Sequence, residues 1–171
     1  MVLYRSMILR AIKKMRGWQT RFSFGSTSAI ITNLALMAGL HSEANAKVSI
    51  IGGILVIALA DNIADSFGIH IYQESEKIET REVWICTLFN FISRLLVSLS
   101  FVALILILPL NAAIISSLVW GLLLLAAVSY MVAKNEAANP YSSILTHLLI
   151  AVIVIFLSNL VGDLLIGRFG R

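Results

Sequence analysis

Hydrophobic positions run through this chain in five long blocks, 24–40, 48–72, 84–108, 112–133 and 142–167, separated by short polar breaks. The breaks hold the turn-formers and many of the charges: HSEANAK at 41–47, QESEKIETREV at 73–83, Pro109 with Asn111, and KNEAANP at 134–140. A block of 25 residues such as 48–72 rises about 37 Å as a helix, against a hydrocarbon core of about 30 Å. The pattern therefore predicts an all-α polytopic membrane protein with five transmembrane helices in a single domain, 24–171. The first block is the least hydrophobic, with Gly25, Ser26, Thr27, Ser28, Thr32 and Asn33. Small and polar residues permit close helix approach or line a wet cavity, so this span is expected to face protein. The fourth block is plain apart from Trp120, Ser129 and Tyr130, and is expected to be the lipid-facing scaffold.

Ahead of the spans, Leu3, Met7, Ala11, Met15 and Trp18 fall at helical spacing, with Arg5, Arg10, Lys13, Lys14 and Arg16 largely on the other faces. Residues 1–23 thus predict an interfacial amphipathic helix on the inner leaflet, a frayed basic tail being the plainer alternative. No apolar run with a small-residue cleavage site follows, so the segment does not read as a removable signal peptide.

Composition strengthens the membrane reading. The chain is 59% hydrophobic with mean hydropathy +0.93, whereas soluble domains hold about 45–50% apolar residues. The net charge of +4 does not point to nucleic acid: six of the thirteen basic residues lie before residue 22, where a polybasic end beside a span meets anionic lipid. Five spans put the termini on opposite sides. Nine basic residues (Arg5, Arg10, Lys13, Lys14, Arg16, Arg21, Lys77, Arg81, Lys134) fall on one side and three (Lys47, Arg168, Arg171) on the other, which predicts a cytoplasmic N-terminus and an external C-terminus, in a prokaryotic inner membrane. A single cysteine, Cys86, excludes an internal disulfide and reads as a small core residue.

The second span carries two acids, Asp61 and Asp65, near its middle. A charge at that depth costs at least ~2.5–3.5 kcal/mol on insertion scales, and a four-residue step puts both on one helix face. Arg94 lies ten residues into the third span and Asp61 eleven from the inner end of the second, so antiparallel neighbours would bring them to one depth. An Asp61–Arg94 pair could simply hold two helices in register. One arginine neutralises one carboxylate, however, and Asp65 then needs a proton, a cation or a polar neighbour. Asn62, Asn90, Thr32 and Asn33 add oxygen donors at compatible heights, a set suited to Mn²⁺, Fe²⁺ or Mg²⁺ rather than thiophilic Cu⁺. In the loop after the second span, Glu76, Glu79 and Glu82 would share a face if the helix continued, and could gather cations; a solvated face balanced by Lys77 and Arg81 is the alternative. Asp163 and Asn159 near the outer end of the fifth span are candidates for an exit path, although a surface ion pair of Asp163 with Arg168 explains the acid as well. His70 and His147 read as interfacial polar residues. No glycine-rich phosphate cradle, HExxH or Ser/His/Asp spacing is present, so no enzyme activity is expected.

The run GSTSAIITNLALMAGLHSEANAKVSIIGGILVIALADNIADSFGIHIYQESE resembles the first two spans of the vacuolar iron transporter family, in Leu34 to Leu40, Ala44 to Ala46, Gly68, Ser75 and Glu76. Pro109–Leu110 falls where that family turns between spans three and four. The likeness covers most of the chain in layout and about fifty residues in pattern. It implies a homodimeric exporter of Fe²⁺ or Mn²⁺ working by proton exchange, with polar residues of spans one and two lining the path, no permanently bound cofactor, and lipid as the surrounding partner. Two departures stand out. The family's span-one Asp-Gly is here Ser28–Ala29, while Asp65 falls near a metal-contacting methionine of span two and Asp61 is an added acid. The family's cytoplasmic metal-binding domain is replaced by the short loop with Glu76, Glu79 and Glu82. On this reading Asp61, Asp65, Asn62, Asn33 and Asn90 bind the metal and Arg94 restrains Asp61. A non-transporting subunit locked by the same charges, or a carrier of another small solute, fits the residues as well.

Overall fold

The computed structural model describes residues 25–135 and 138–169 as five helices. They are α1 (Gly25–Leu40), α2 (Ala46–Ser75), α3 (Thr80–Ile107), α4 (Leu110–Asn135) and α5 (Pro140–Phe169). The last four are long and apolar enough to cross a membrane, with mean hydropathies of 1.8 to 2.6. The apolar blocks of the sequence thus match the helices to within three or four residues at every described end. The interfacial helix expected over 1–23 lies outside the described residues.

Side-chain pairs fix the arrangement. Asn62 meets Arg94, Ser66 meets Asn90 and His70 meets Thr87, so α2 and α3 run antiparallel along much of their length. α4 runs along α5, joined by Ser129 and His147, while α3 meets α4 through Trp120 Nε1 donating to Ser100 Oγ at 3.0 Å. Lys47, at the start of α2, donates from Nζ to the carbonyls of Leu106 and Leu108 at 3.4 and 3.2 Å. A cation there satisfies the orphan carbonyls and the negative end of the α3 dipole.

The short first helix sits at the centre. Ile30, Asn33, Leu34 and Met37 of α1 have no exposed surface, and each of the other helices approaches α1 at a glycine. Leu36 packs where Gly53 of α2 lacks a side chain, Leu34 does so at Gly121 of α4, and Gly25 lies against Asn90 and Arg94 of α3. Closest is α5, where a Cβ on Gly162 would stand 2.1 Å from the Gly39 carbonyl oxygen. The small residues of the first block therefore serve helix contact, as its composition predicted.

Helix α5, not α4, is the most exposed. It buries only Ala151 and Gly162, while α4 buries Ala113, Ser117, Gly121, Leu125, Val128, Ser129 and Ala133. The apolar core joins Ile30, Leu34 and Met37 to Ile50 and Ile54 of α2, Phe101 and Ile105 of α3, and Leu125 of α4.

Candidate functional site

Asp61 stands fourteen residues before the end of α2 and Arg94 fourteen after the start of α3, about 21 Å along each helix at ~1.5 Å per residue. Antiparallel packing therefore brings them level near the middle of both spans. Arg94 is fully buried, and its guanidinium reaches three residues of one α2 turn. Nη2 lies 2.6 Å from Asp61 Oδ2, Nη1 lies 2.5 Å from Asp65 Oδ2, and Nε donates to Asn62 Oδ1 at 2.8 Å. The Nη1 contact is a close ion pair without a well-directed hydrogen bond. The expected Asp61–Arg94 pair is present, and Asp65, expected to look elsewhere for a partner, shares the same arginine. The planar fork of a guanidinium makes this double grip possible where an ammonium could not.

The acids are not sealed in. Their side chains remain 42% and 38% exposed on the outer side of α2, against 0% for Arg94. Two carboxylates and one guanidinium leave the cluster one negative charge in excess when all are ionised.

From this cluster a polar seam runs between α2 and α3 toward the loop that joins them. The buried positions of α2 recur at a four-residue step: Ala46, Ile50, Ile54 and Ala58, then Asn62, Ser66 and His70. The first four are apolar and the last three polar. On α3 the order is broadly mirrored: after Val83 and Cys86 at the loop end come Thr87, Asn90, Ser93, Arg94 and Ser98, followed by Phe101, Val102 and Ile105. The seam is thus polar on one side of Arg94 and, one turn past it, apolar on the other.

Each level of the polar half is tied by a hydrogen bond. Asn90 Nδ2 donates to Ser66 Oγ at 3.0 Å, and beyond Arg94 Asn33 Nδ2 donates to Ser98 Oγ at 3.0 Å. Thr87 Oγ1 spends its hydrogen on the Val83 carbonyl, so its 2.9 Å contact with His70 Nδ1 requires the imidazole to donate there. That leaves His70 Nε2 facing the exposed Glu74 carboxylate at 3.4 Å. Phe67 stacks on the His70 ring and Trp84 meets it edge-on.

Three buried asparagines use only one end of their amide well. Asn33 Oδ1, Asn62 Nδ2 and Asn90 Oδ1 have no hydrogen-bond partner among the described residues, nor does Gln73 Oε1 at the mouth of the seam. An unpaired buried polar atom costs about 1–3 kcal/mol. Three such ends would cost roughly 3–9 kcal/mol, comparable to the ~5–15 kcal/mol net stability of a folded protein.

The other candidate residues fall elsewhere. Glu76, Glu79 and Glu82 do not share a helix face: α2 stops at Ser75, Lys77 takes φ 55°, and Glu79 is the N-cap of α3 with Glu82 in its first turn. All three are exposed, and Glu82 there favours the α3 dipole. Asp163 and Asn159 meet at the opposite end of the bundle, Asn159 Nδ2 lying 3.4 Å from Asp163 Oδ2. Asp163 Oδ1 accepts from Ser42 Oγ at 3.1 Å, and Ser42 Oγ lies 3.0 Å from His41 Nε2, so the acid ties α5 to the α1–α2 loop. Cys86 is buried and donates to the Glu82 carbonyl. His147 is half-buried against Ser129 Oγ at 2.8 Å. Among the described residues no three His, Cys, Asp or Glu side chains converge as a metal site, so the expected ligand set does not close into one cage. Only Asp61, Asp65 and Asn62 come together, around Arg94.

Ser66, Thr87, Ser93 and Ser98 were not among the residues that the sequence singled out. Their signal was the helical step they share with Asn62, His70, Asn90 and Arg94.

No family model matches this chain, and neither a curated protein nor a solved structure matches it.

Proposed function

We propose that this chain is a proton-coupled membrane carrier of a divalent cation, Fe²⁺ or Mn²⁺, which it moves out of the cytoplasm with Asp61 and Asp65 as the cation-binding pair. One observation carries the reading: two half-exposed carboxylates at mid-span share a single fully buried arginine, at the inner end of a seam that is polar on one side only. A structural lock needs one acid for one base. The second acid leaves a net negative charge, held ready for a cation or a proton.

Arg94 is then the internal counter-charge of the unloaded site. A divalent ion taking both carboxylates displaces Nη1 and Nη2 from them, while the bond from Nε to Asn62 keeps the guanidinium anchored. Return of the arginine, or of protons, drives the ion off. Such competition between fixed cation and cargo is the exchange logic that the sequence resemblance implies. Asn33 and Asn90 line the approach, and Glu76, Glu79 and Glu82 gather cations at the cytoplasmic mouth.

The carrier works as a homodimer. Carboxylates open to lipid are costly, and the outer side of α2 beside them carries small exposed residues, Gly52, Ala60, Ala64 and Gly68, interrupted by Val56; a Cβ added at either glycine meets nothing within 4 Å. A second copy laid on this face would cover both acids.

The full burial of Arg94 and its three contacts favour one rival, a subunit in which the cluster only staples α2 to α3. Mn²⁺ uptake into proteoliposomes, with and without a pH gradient, separates the two. Under the transport reading a pH gradient drives uptake and Asp65→Asn abolishes it with assembly intact. Absence of flux from the wild type, with Asp65→Asn altering only assembly, supports the staple.

A further inference from the structure

We infer that the polar half of the α2–α3 seam is a water-filled half-channel, running from the α2–α3 loop to Arg94 and ending on an apolar plug. Four observations combine. Buried amide atoms at successive levels, Gln73 Oε1, Asn90 Oδ1, Asn62 Nδ2 and, on α1 just beyond Arg94, Asn33 Oδ1, have no hydrogen-bond partner among the described residues, though each residue is more than nine-tenths buried. They mix acceptors with a donor, a set that a cation alone or an anion alone cannot satisfy but water can, since each molecule both gives and takes hydrogen bonds. The seam is lined by Ser66, Thr87 and Ser93 between those levels, so polar surface is continuous. The polarity then ends within about one turn beyond Arg94, where Ile54, Ala58, Phe101 and Val102 close the seam.

Space adjoins it. A groove of about 370 Å³ opens beside it on the outside of the bundle; its lining is mainly apolar, Ile63, Phe67, Trp84 and Leu88 among it, and Ser66 and Thr87 are its polar residues. At the loop end Glu74 is exposed and faces His70 Nε2, the other groups on the ring being Thr87, Trp84 and Phe67, none of them charged. Val83 and Cys86 of α3 are buried at this end as well, so the polar route to the guanidinium follows Gln73, His70, Ser66 and Asn62 of α2. The half-channel gives the acids access from one face only, which a carrier needs in one of its two states. It rests on the transport reading for that use and not for its existence.

Cysteine accessibility tests the hydration directly. In a Cys86→Ala background, Ser66→Cys, Thr87→Cys, Ile54→Cys and Val102→Cys are each treated in lipid vesicles with a membrane-impermeant methanethiosulfonate carrying a quaternary ammonium, with Lys77→Cys as the loop control. The thiolate attacks the reagent's thiol-level sulfur and expels methanesulfinate, and it forms only where water reaches the cysteine. The expected result is modification at 66 and 87 from the side where 77 reacts, and rates at 54 and 102 lower by roughly tenfold or more. Equal inertness at 66 and 54 overturns the inference, as it would if a lipid chain filled the groove and sealed the seam. Should the cysteine variants fail to fold, water-edited solid-state NMR of the wild-type chain replaces them: early transfer from water to the Asn62 and Asn90 side-chain amides supports the half-channel, and transfer no faster than to Ile54 refutes it. Because neither measurement involves cargo, a labelled seam without cation flux would sink the transport reading and leave the half-channel standing.

Discussion

Replacing Arg94 by leucine removes the one group that holds Asp61, Asn62 and Asp65 together. Truncating one member of a buried ion pair costs about 3–5 kcal/mol, because the partner charge is left uncompensated. Here the partners are two-fifths exposed, so part of their charge is relieved by surroundings other than Arg94. A value at or below the bottom of that range, roughly 2–3 kcal/mol, is the appropriate expectation, with the orphaned Asn62 oxygen contributing within it. That is a thirty- to hundredfold fall or so in the folded-to-unfolded ratio at ~1.4 kcal/mol per decade. Reversible unfolding in mixed bicelles measures it. The decisive comparison is the triple variant Arg94→Leu, Asp61→Asn, Asp65→Asn, in which no charge is stranded: it should recover most of the loss, a coupling energy that additive effects cannot produce. Arg94→Lys should fall between, since a single ammonium cannot meet Asp61, Asp65 and Asn62 at once. If Arg94→Leu is neutral, or if the triple variant is no more stable than the single one, the cluster is not held by the arginine and the geometry argued above is wrong.

At the α1–α5 contact, Gly162→Ala should destabilise by about 1–3 kcal/mol or more, because its Cβ would meet backbone that cannot swing aside; Gly52→Ala, in open space, should stay within ~0.5 kcal/mol in the same unfolding assay. Lys47→Met should cost about 0.3–1 kcal/mol by uncapping α3, with faster amide exchange confined to the last turn before Leu108. Glu76→Gln with Glu79→Gln and Glu82→Gln should leave stability nearly unchanged and raise the Mn²⁺ concentration needed for half-maximal uptake; an unaltered concentration dependence would remove the glutamates from the cation path.

The spans were legible because apolar blocks long enough to cross a bilayer leave few alternatives, and their edges coincide with turn-formers at 41–47, 73–83 and 134–140. The Asp61–Arg94 pair was legible too, from equal depths on adjacent helices. That Asp65 joins the same arginine was not, because counting charges one against one overlooks that a guanidinium offers two Nη groups and an Nε. The shared face of Glu76, Glu79 and Glu82 failed for a local reason: it required α2 to continue, and the left-handed turn at Lys77 starts a new helix. Hydropathy ranked α4 as the lipid-facing scaffold because its block is uniformly apolar, yet burial depends on which helix the glycines and serines of its neighbours accept. The polar seam was hidden for a similar reason. Serine and threonine are unremarkable in membrane helices, and only pairing α2 with α3 shows that Ser66, Thr87 and Ser98 fall level with the asparagines and Arg94.

Manganese binding to the purified chain, followed by loss of the free-ion electron paramagnetic resonance signal, tests most directly whether the two mid-span acids are a cation site. The account predicts binding in the wild type that survives Glu76→Gln with Glu79→Gln and Glu82→Gln, and disappears in Asp61→Asn with Asp65→Asn although that variant still folds. Binding undiminished by the loss of both aspartates, or absent from the folded wild type, would contradict it.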